Sequence, residues 1–380
     1  MIDTTIFSTR SEYKNSLTNP SADGVHVIGL DMGYSSPKCV YEHGYFVFPN
    51  YVKRLTGELF GELPKDALIF TDESGNTFVV GDMAMKSLTE DSVVSEDSMY
   101  GRNHYLHPEF KVAFETALGL ACWNEDLYNA DSETLFLETG LPPAYKLKDE
   151  PYLRTAVCGR HKFTLSKGGV TKDFDIILNQ DQVDVMSQPM GTLNSLLFND
   201  DCTYSKHAAE LMRSDVALLD GGFVTFDKFL IRAHQLEFQN SDASLGMKRI
   251  LEELRADISR EYGVNISIPA MQKVLRSGKF TVNDMVTMTV KEVDVSEYFE
   301  RANDKVAALA FDSIKDYVFG VKYLIMTGGI GEAWSPIFKE RLKNLPITIL
   351  LGKENTQLPT VLANARGYYM NRVNKIRKGL

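Results

Sequence analysis

Two short apolar runs in this sequence end in the same way, and that repetition is the strongest constraint on its fold. Val25-His26-Val27-Ile28-Gly29-Leu30 runs into Asp31-Met32-Gly33, and Val216-Ala217-Leu218-Leu219 runs into Asp220-Gly221-Gly222. Each run is of strand length. A charged residue stands seven positions after each Asp, Lys38 in one case and Asp227 in the other. A second β-prone run follows each, Cys39-Val40-Tyr41 and Lys228-Phe229-Leu230-Ile231. The pattern predicts a β-hairpin with a wide turn at each place. A single Asp-x-Gly is common in ordinary turns. Two on matching hairpins predict two similar domains that face each other.

Two more runs have strand length. Tyr323-Leu324-Ile325-Met326 stops at Thr327-Gly328-Gly329, and Ile347-Thr348-Ile349-Leu350-Leu351 follows. The gaps leave room for helices, which predicts central strands of α/β sheets. Three of the four runs stop at Asp or Gly, so their polar ends point toward a shared cleft. Apolar spacing predicts helices over Pro108 to Trp123, Ala243 to Tyr262, Arg301 to Val318 and Leu362 to Ile376. The turn-rich stretch from Pro49 to Gly101 and the stretch from Ile266 to Glu300 read as insertions, one per domain. Ser8 to Asp23 is polar, so residues 1–23 are expected to be a weakly ordered extension, with β propensity at Thr4 to Phe7.

Charge and cysteine usage exclude some functions. With 41 Lys and Arg against 51 Asp and Glu, the formal net charge is −10. Such a surface repels a phosphate backbone, so strong direct DNA binding is not expected. Cys39, Cys122, Cys158 and Cys202 are scattered and form no Cys-x-x-Cys pair. That usage fits reduced thiols in a cytoplasm. No apolar run approaches the roughly 18 residues of a membrane span. His104 and His107 lack the intervening carboxylate of a helical zinc motif.

The hairpins and the third strand end suggest phosphate chemistry. A tight glycine turn exposes backbone N–H groups to phosphate oxygens. Lys38 could place a positive charge there. Asp31 and Asp220 end buried strands, and carboxylates so placed can hold Mg²⁺ through its water shell. Thr327-Gly328-Gly329-Ile330-Gly331-Glu332 lets the backbone approach a ligand closely, and no Gly-Lys-Ser/Thr makes it a P-loop.

The ordered set of motifs resembles the actin superfamily of ATPases. Asp31-Met32-Gly33-Tyr34-Ser35-Ser36-Pro37-Lys38 resembles its first phosphate loop and Gln188-Pro189-Met190-Gly191 its first connecting segment. Asp220 to Asp227 resembles the second phosphate loop, Thr327-Gly328-Gly329 the adenosine loop, and Asn364-Ala365-Arg366-Gly367 the second connecting segment. The Asp-x-Gly-Tyr start and Thr139-Gly140-Leu141-Pro142 are most similar to the ParM/StbA plasmid-segregation branch. The chain departs from that pattern at Ser35, Pro37 and Phe223.

The resemblance implies an α/β, actin-like (ribonuclease H-like) fold of duplicated domains with a nucleotide cleft between them. It implies an extension over 1–23, a first domain over 24–190 with an insertion at about 49–107, and a second over 191–361 with an insertion at about 262–315. A C-terminal helix over 362–380 would return to the first domain. ATP or GTP with Mg²⁺ would bind through Gly33, Tyr34, Ser35, Ser36, Lys38, Gly221, Gly222, Thr225, Arg249, Glu253, Gly328, Gly329, Ile330 and Glu332. Asp31 and Asp220 would hold the metal through water and serve catalysis, and Gln188 would orient the attacking water.

The function so implied is a filament-forming, nucleotide-hydrolysing protein that moves plasmid or phage DNA. Its partners would be further copies of itself and a DNA-binding adaptor of the ParR type, with no membrane. The alternatives are a sugar- or acetate-type kinase and a chaperone-like ATPase, since a fold hosts several functions.

Overall fold

Both repeated hairpins form, and each sits inside its own sheet. The computed structural model describes residues 3–22, 24–56, 64, 67–88, 100–102, 104–124, 134–284 and 286–380. Parts of the expected extension and of the insertion at about 49–107 lie outside these residues.

The first half begins with β1 (Glu12–Lys14), β2 (His26–Met32), β3 (Pro37–Tyr41) and β4 (Gly44–Val47). It continues through β5 (Val52–Arg54), β6 (Leu68–Asp72), β7 (Thr77–Val80), α1 (Asp82–Lys86) and α2 (Pro108–Ala121). Then come β8 (Leu135–Leu141), α3 (Lys146–Val157), β9 (Gly159–Lys167), β10 (Val170–Leu178), β11 (Val183–Ser187) and α4 (Gln188–Leu197). The second half contains α5 (Ala208–Leu211), β12 (Val216–Gly221), β13 (Phe226–Arg232), β14 (Gln235–Asp242), α6 (Met247–Tyr262) and α7 (Ile268–Ser277). It ends with β15 (Lys279–Asp284), β16 (Thr289–Asp294), α8 (Ser296–Asp312), β17 (Tyr323–Thr327), α9 (Gly329–Leu342), β18 (Thr348–Leu351) and α10 (Ala363–Arg377).

The two main sheets share one topology. The first has the order β1-β4-β3-β2-β8-β11 and the second β14-β13-β12-β17-β18. In the first, β2 pairs antiparallel with β3 and parallel with β8. In the second, β12 pairs antiparallel with β13 and parallel with β17. The seven-residue spacing now has a structural meaning: it places Lys38 opposite Asp31, and Asp227 opposite Asp220. Every residue of β12 is buried, as expected of a central strand covered on both faces. Ile28, Leu137 and Phe114 share one core; Leu324, Leu254 and Trp334 share the other. A further five-stranded sheet, β10-β9-β6-β7-β5, also belongs to the first half.

Two helices tie the halves together. α4 leads out of β11, and α10 packs on β2, β3, β8 and α4. They cross so closely that a Cβ on Gly367 would lie 1.6 Å from the Gly191 carbonyl oxygen. The buried Arg366 guanidinium, one residue earlier, donates to Ser195 O and, at 3.0 Å, to Phe198 O. It thereby satisfies carbonyls that the end of α4 leaves open.

Local propensity misplaced two helix starts and the N-terminus. The helix expected from Arg301 begins at Ser296, whose N–H is accepted by the Asp294 carboxylate at 2.8 Å. Ile314 and Val318 keep the apolar spacing beyond its end but lie in turns over the same core. The helix expected from Ala243 begins at Met247, because Asp242 binds the Ser244 N–H in a turn. The N-terminal extension is a short 3₁₀ turn at Thr4–Phe7 followed by β1, not a strand at residues 4–7. Its partners include β4 and Asp82 in the first half and Leu275 and Gln272 in the second, distant in sequence, where a local reading cannot see them.

The crossing makes a direct test. Gly367→Ala should destabilise the protein by about 3 kcal/mol, at the upper end of overpacking costs. Chemical denaturation checks it, and an unchanged midpoint would show that the two helices can separate freely.

Candidate functional site

The strand ends meet in one pocket of about 430 Å³. Asp31, Gly33, Tyr34, Ser35, Ser36 and Lys38 form one wall. Asp220, Gly221, Gly222, Thr225 and Asp227 form another, and Gly328, Gly329 and Ile330 a third. Gln188 and Asn364 also line it.

Each hairpin Asp is held by a side-chain amide near the start of a connecting helix. Gln188, the first residue of α4, donates its Nε2 to Asp31 Oδ1 at 3.0 Å. Asn364, the second residue of α10, donates its Nδ2 to Asp220 Oδ2 at 2.7 Å. The duplication therefore extends from the strands to the polar contacts. Lys38 reaches the other Asp31 oxygen, at 3.5 Å, and the Ser36 carbonyl, at 3.3 Å. Thr192 joins the second amide to the adjoining strand: its hydroxyl lies 2.8 Å from Asn364 Oδ1 and 3.1 Å from Thr327 Oγ1.

The loops are shaped by their neighbours. Asn50 anchors the first loop, donating its own N–H to Ser35 O at 2.8 Å and its side chain to Tyr34 O at 3.3 Å. Tyr34 packs against His104, ring centroids 4.6 Å apart. The second loop closes through Gly222 N–H to Thr225 O, 2.9 Å. Its Gly222 and Phe223 carbonyls accept the N–H groups of Met247 and Lys248 at the start of α6, at 3.1 and 2.7 Å. Phe223, a departure from the expected pattern, is buried against Tyr100. At the third strand end, Gly328 has φ +77°, and a Cβ there would lie 2.5 Å from Asp220 Oδ1. Only glycine allows that loop to lie against the carboxylate.

Burial dominates the electrostatics. It pushes the Asp220 carboxyl up to about 6, with repulsion from Asp31 adding to it and the Asn364 hydrogen bond opposing it. Burial also raises Asp227 well above the ordinary carboxylate range, helped by Asp220 and opposed by hydrogen bonds from Ser241 and Thr225. Asp227 Oδ1 has no hydrogen-bond partner among the described residues.

Not every expected residue reaches the pocket wall. Arg249 and Glu253 pair with each other at 2.6 Å on α6, and Lys305 also reaches Glu253 at 2.7 Å. Glu332 pairs with Lys353. All three stand outside the lining, although Met247 on α6 is part of it. Conversely, Asp227, Thr327 and Asn364 belong to the wall without having been singled out as ligands. Each lies in a motif already quoted, so the signal was position within the motif, not residue type.

Comparison with known proteins agrees with this architecture. Residues 29–191 match the family described as actin like proteins N terminal domain. A pCBH ParM non-polymerisable quadruple mutant superposes with a TM-score of 0.72 at 18% identity, covering 92% of this chain and 99% of that one. A 15-stranded ParM filament from Clostridium botulinum gives 0.66 at 16% identity, with coverages of 92% and 99%. An archaeal actin homolog in complex with ADP gives 0.59 at 16% identity, with coverages of 92% and 100%. No curated protein sequence matches significantly. The chain has the two-domain actin-like fold of ParM-type proteins.

The Asp220 environment predicts a pH signature. Its folded carboxyl titrates near 6, above its ordinary value of 3.8, so the folded state holds the proton more tightly. That contribution to stability is present below the ordinary value and is lost as pH rises through the folded one. Asp220→Asn should therefore melt higher than the parent in the ligand-free protein above pH 6, with the difference closing as the pH falls toward 4. Melting curves across that range check it. A difference independent of pH would contradict the assignment.

Proposed function

We propose that this chain is an actin-like nucleotide phosphohydrolase whose nucleotide-bound form assembles into filaments. The observation that carries this reading is the convergence of two equivalent Asp hairpins on one pocket, each Asp held by an amide of a connecting helix. A pocket walled by both halves responds to its ligand by closing, and closure is a means of making an assembly surface depend on nucleotide.

The residues fit a Mg²⁺-nucleotide. Glycine turns at 220–222 and 328–329 bring backbone to the wall, and Lys38 supplies positive charge. Among the described residues no three His, Cys, Asp or Glu side chains form a metal cage. Asp31 and Asp220 would accordingly act on Mg²⁺ through its water shell, as suits an ion that keeps several waters. When bound, the ion neutralises charge developing on the phosphates. Gln188 is committed to Asp31 through Nε2, which leaves Oε1 as the acceptor for a water proton. An amide orients such a water without being a strong base. Gly328, Gly329 and Ile330 would meet the nucleoside.

The self-assembly reading is supported by likeness to ParM proteins, one of them solved as a filament. Plasmid or phage DNA would be the cargo. A net charge of −10 favours reaching it through a basic adaptor of the ParR type over direct contact.

Assembly and hydrolysis should separate. Lys38→Ala should weaken nucleotide binding and abolish polymerisation. Gln188→Ala should still polymerise with Mg²⁺-nucleotide but release phosphate on the order of 10²-fold more slowly, the usual loss for one positioned transition-state hydrogen bond. Light scattering and phosphate release recorded together, with ATP and with GTP, check both variants. Hydrolysis at the parental rate would remove Gln188 from the water's site, and nucleotide binding without assembly would contradict the separation.

A further inference from the structure

Part of the pocket wall comes from an unexpected part of the chain. Residues 6–12 line it, although the strand ends that form the other walls begin only after β2. This segment is fastened to both halves. On the second half, the buried Thr4 hydroxyl donates to Leu275 O at 2.9 Å, Phe7 packs on Phe299 at 4.7 Å, and Thr9 N–H donates to Gln272 Oε1 at 3.3 Å. On the first half, Ser11 N–H donates to Asp82 Oδ2 at 3.0 Å, and β1 pairs with the edge of β4.

The two fastenings meet in one knot. Arg276 at the end of α7 donates its Nε to Thr9 O at 3.1 Å and pairs with Asp82 Oδ1 at 2.5 Å. Thr9, Ser11, Asp82 and Arg276 therefore join both halves and the segment between them. The knot is polar and partly exposed, and beside it Lys273 Nζ donates to Leu88 O at 2.6 Å and the Tyr51 hydroxyl to Pro269 O at 3.3 Å, whereas the helix crossing is buried, so the knot costs less to break than the crossing.

We propose that residues 4–14 are a strap across the mouth of the cleft, and that release of the Arg276–Asp82 knot gates nucleotide exchange. The proposal rests on the nucleotide reading of the pocket. With the strap fastened, nucleotide neither enters nor leaves. Weakening the knot speeds both steps together and leaves the affinity nearly unchanged, which separates a gate from a simple wall contact.

The test is stopped-flow exchange of a fluorescent N-methylanthraniloyl ADP with Mg²⁺ on the full chain. Arg276→Gln and Asp82→Asn should each release it about tenfold faster than the parent, the scale for losing one such contact, with association faster in parallel. The double variant should release no faster than Arg276→Gln alone, because that variant already breaks the Arg276–Asp82 pair together with the Thr9 contact. Arg160→Gln, which breaks the exposed Arg160–Asp175 pair between β9 and β10 outside the pocket lining, controls for loss of a surface ion pair and should exchange at the parental rate. If the parent binds and the knot variants exchange at its rate, the gate is overturned while the pocket reading stands. Faster release without faster association overturns the gate as well. If the folded parent binds no nucleotide, the pocket reading fails and the gate falls with it.

Discussion

Two buried carboxylates facing one cleft are the constraint on which the rest of this structure depends. Asp31 and Asp220 stand in the pocket wall at 4% and 6% exposure, and a buried charge without partners is costly. The fold meets the cost twice in the same way. Gln188 serves Asp31 and Asn364 serves Asp220, each from the first turn of a helix that leaves one sheet and crosses the other helix. The contact of Gly191 with Gly367 holds that crossing in place. The amides cannot move far from the carboxylates unless the crossing moves as well. The polar chemistry of the pocket and the packing of the helix crossing are thus one construction.

Much of this was legible in the residues. The seven-residue interval from Asp31 to Lys38 and from Asp220 to Asp227 announced paired strands, and the pairing is register for register. The continuous apolar runs announced buried central strands, because burial on both faces removes the alternation of a half-exposed strand. What escaped was non-local. Arg249 and Glu253 lie on α6 outside the pocket lining, where they pair with each other and Glu253 with Lys305. Their spacing of four along a helix is also that of an ordinary surface ion pair. The N-terminal segment was unreadable for a related reason: its order comes from Leu275, Gln272 and Arg276.

One departure from the expected loop pattern also acquires a role. Phe223 fills space against Tyr100, as Tyr34 packs against His104, so each hairpin loop is braced by an aromatic contact.

Hydrogen exchange with and without Mg²⁺-nucleotide tests the central claim most directly. One ligand held by both hairpins should slow exchange at residues 31–38, 220–227 and 327–332 together, at the same nucleotide concentration. The buried crossing at 191 and 367 should be protected in both states. Protection confined to one hairpin, or appearing at different concentrations for the two, would contradict a shared nucleotide site.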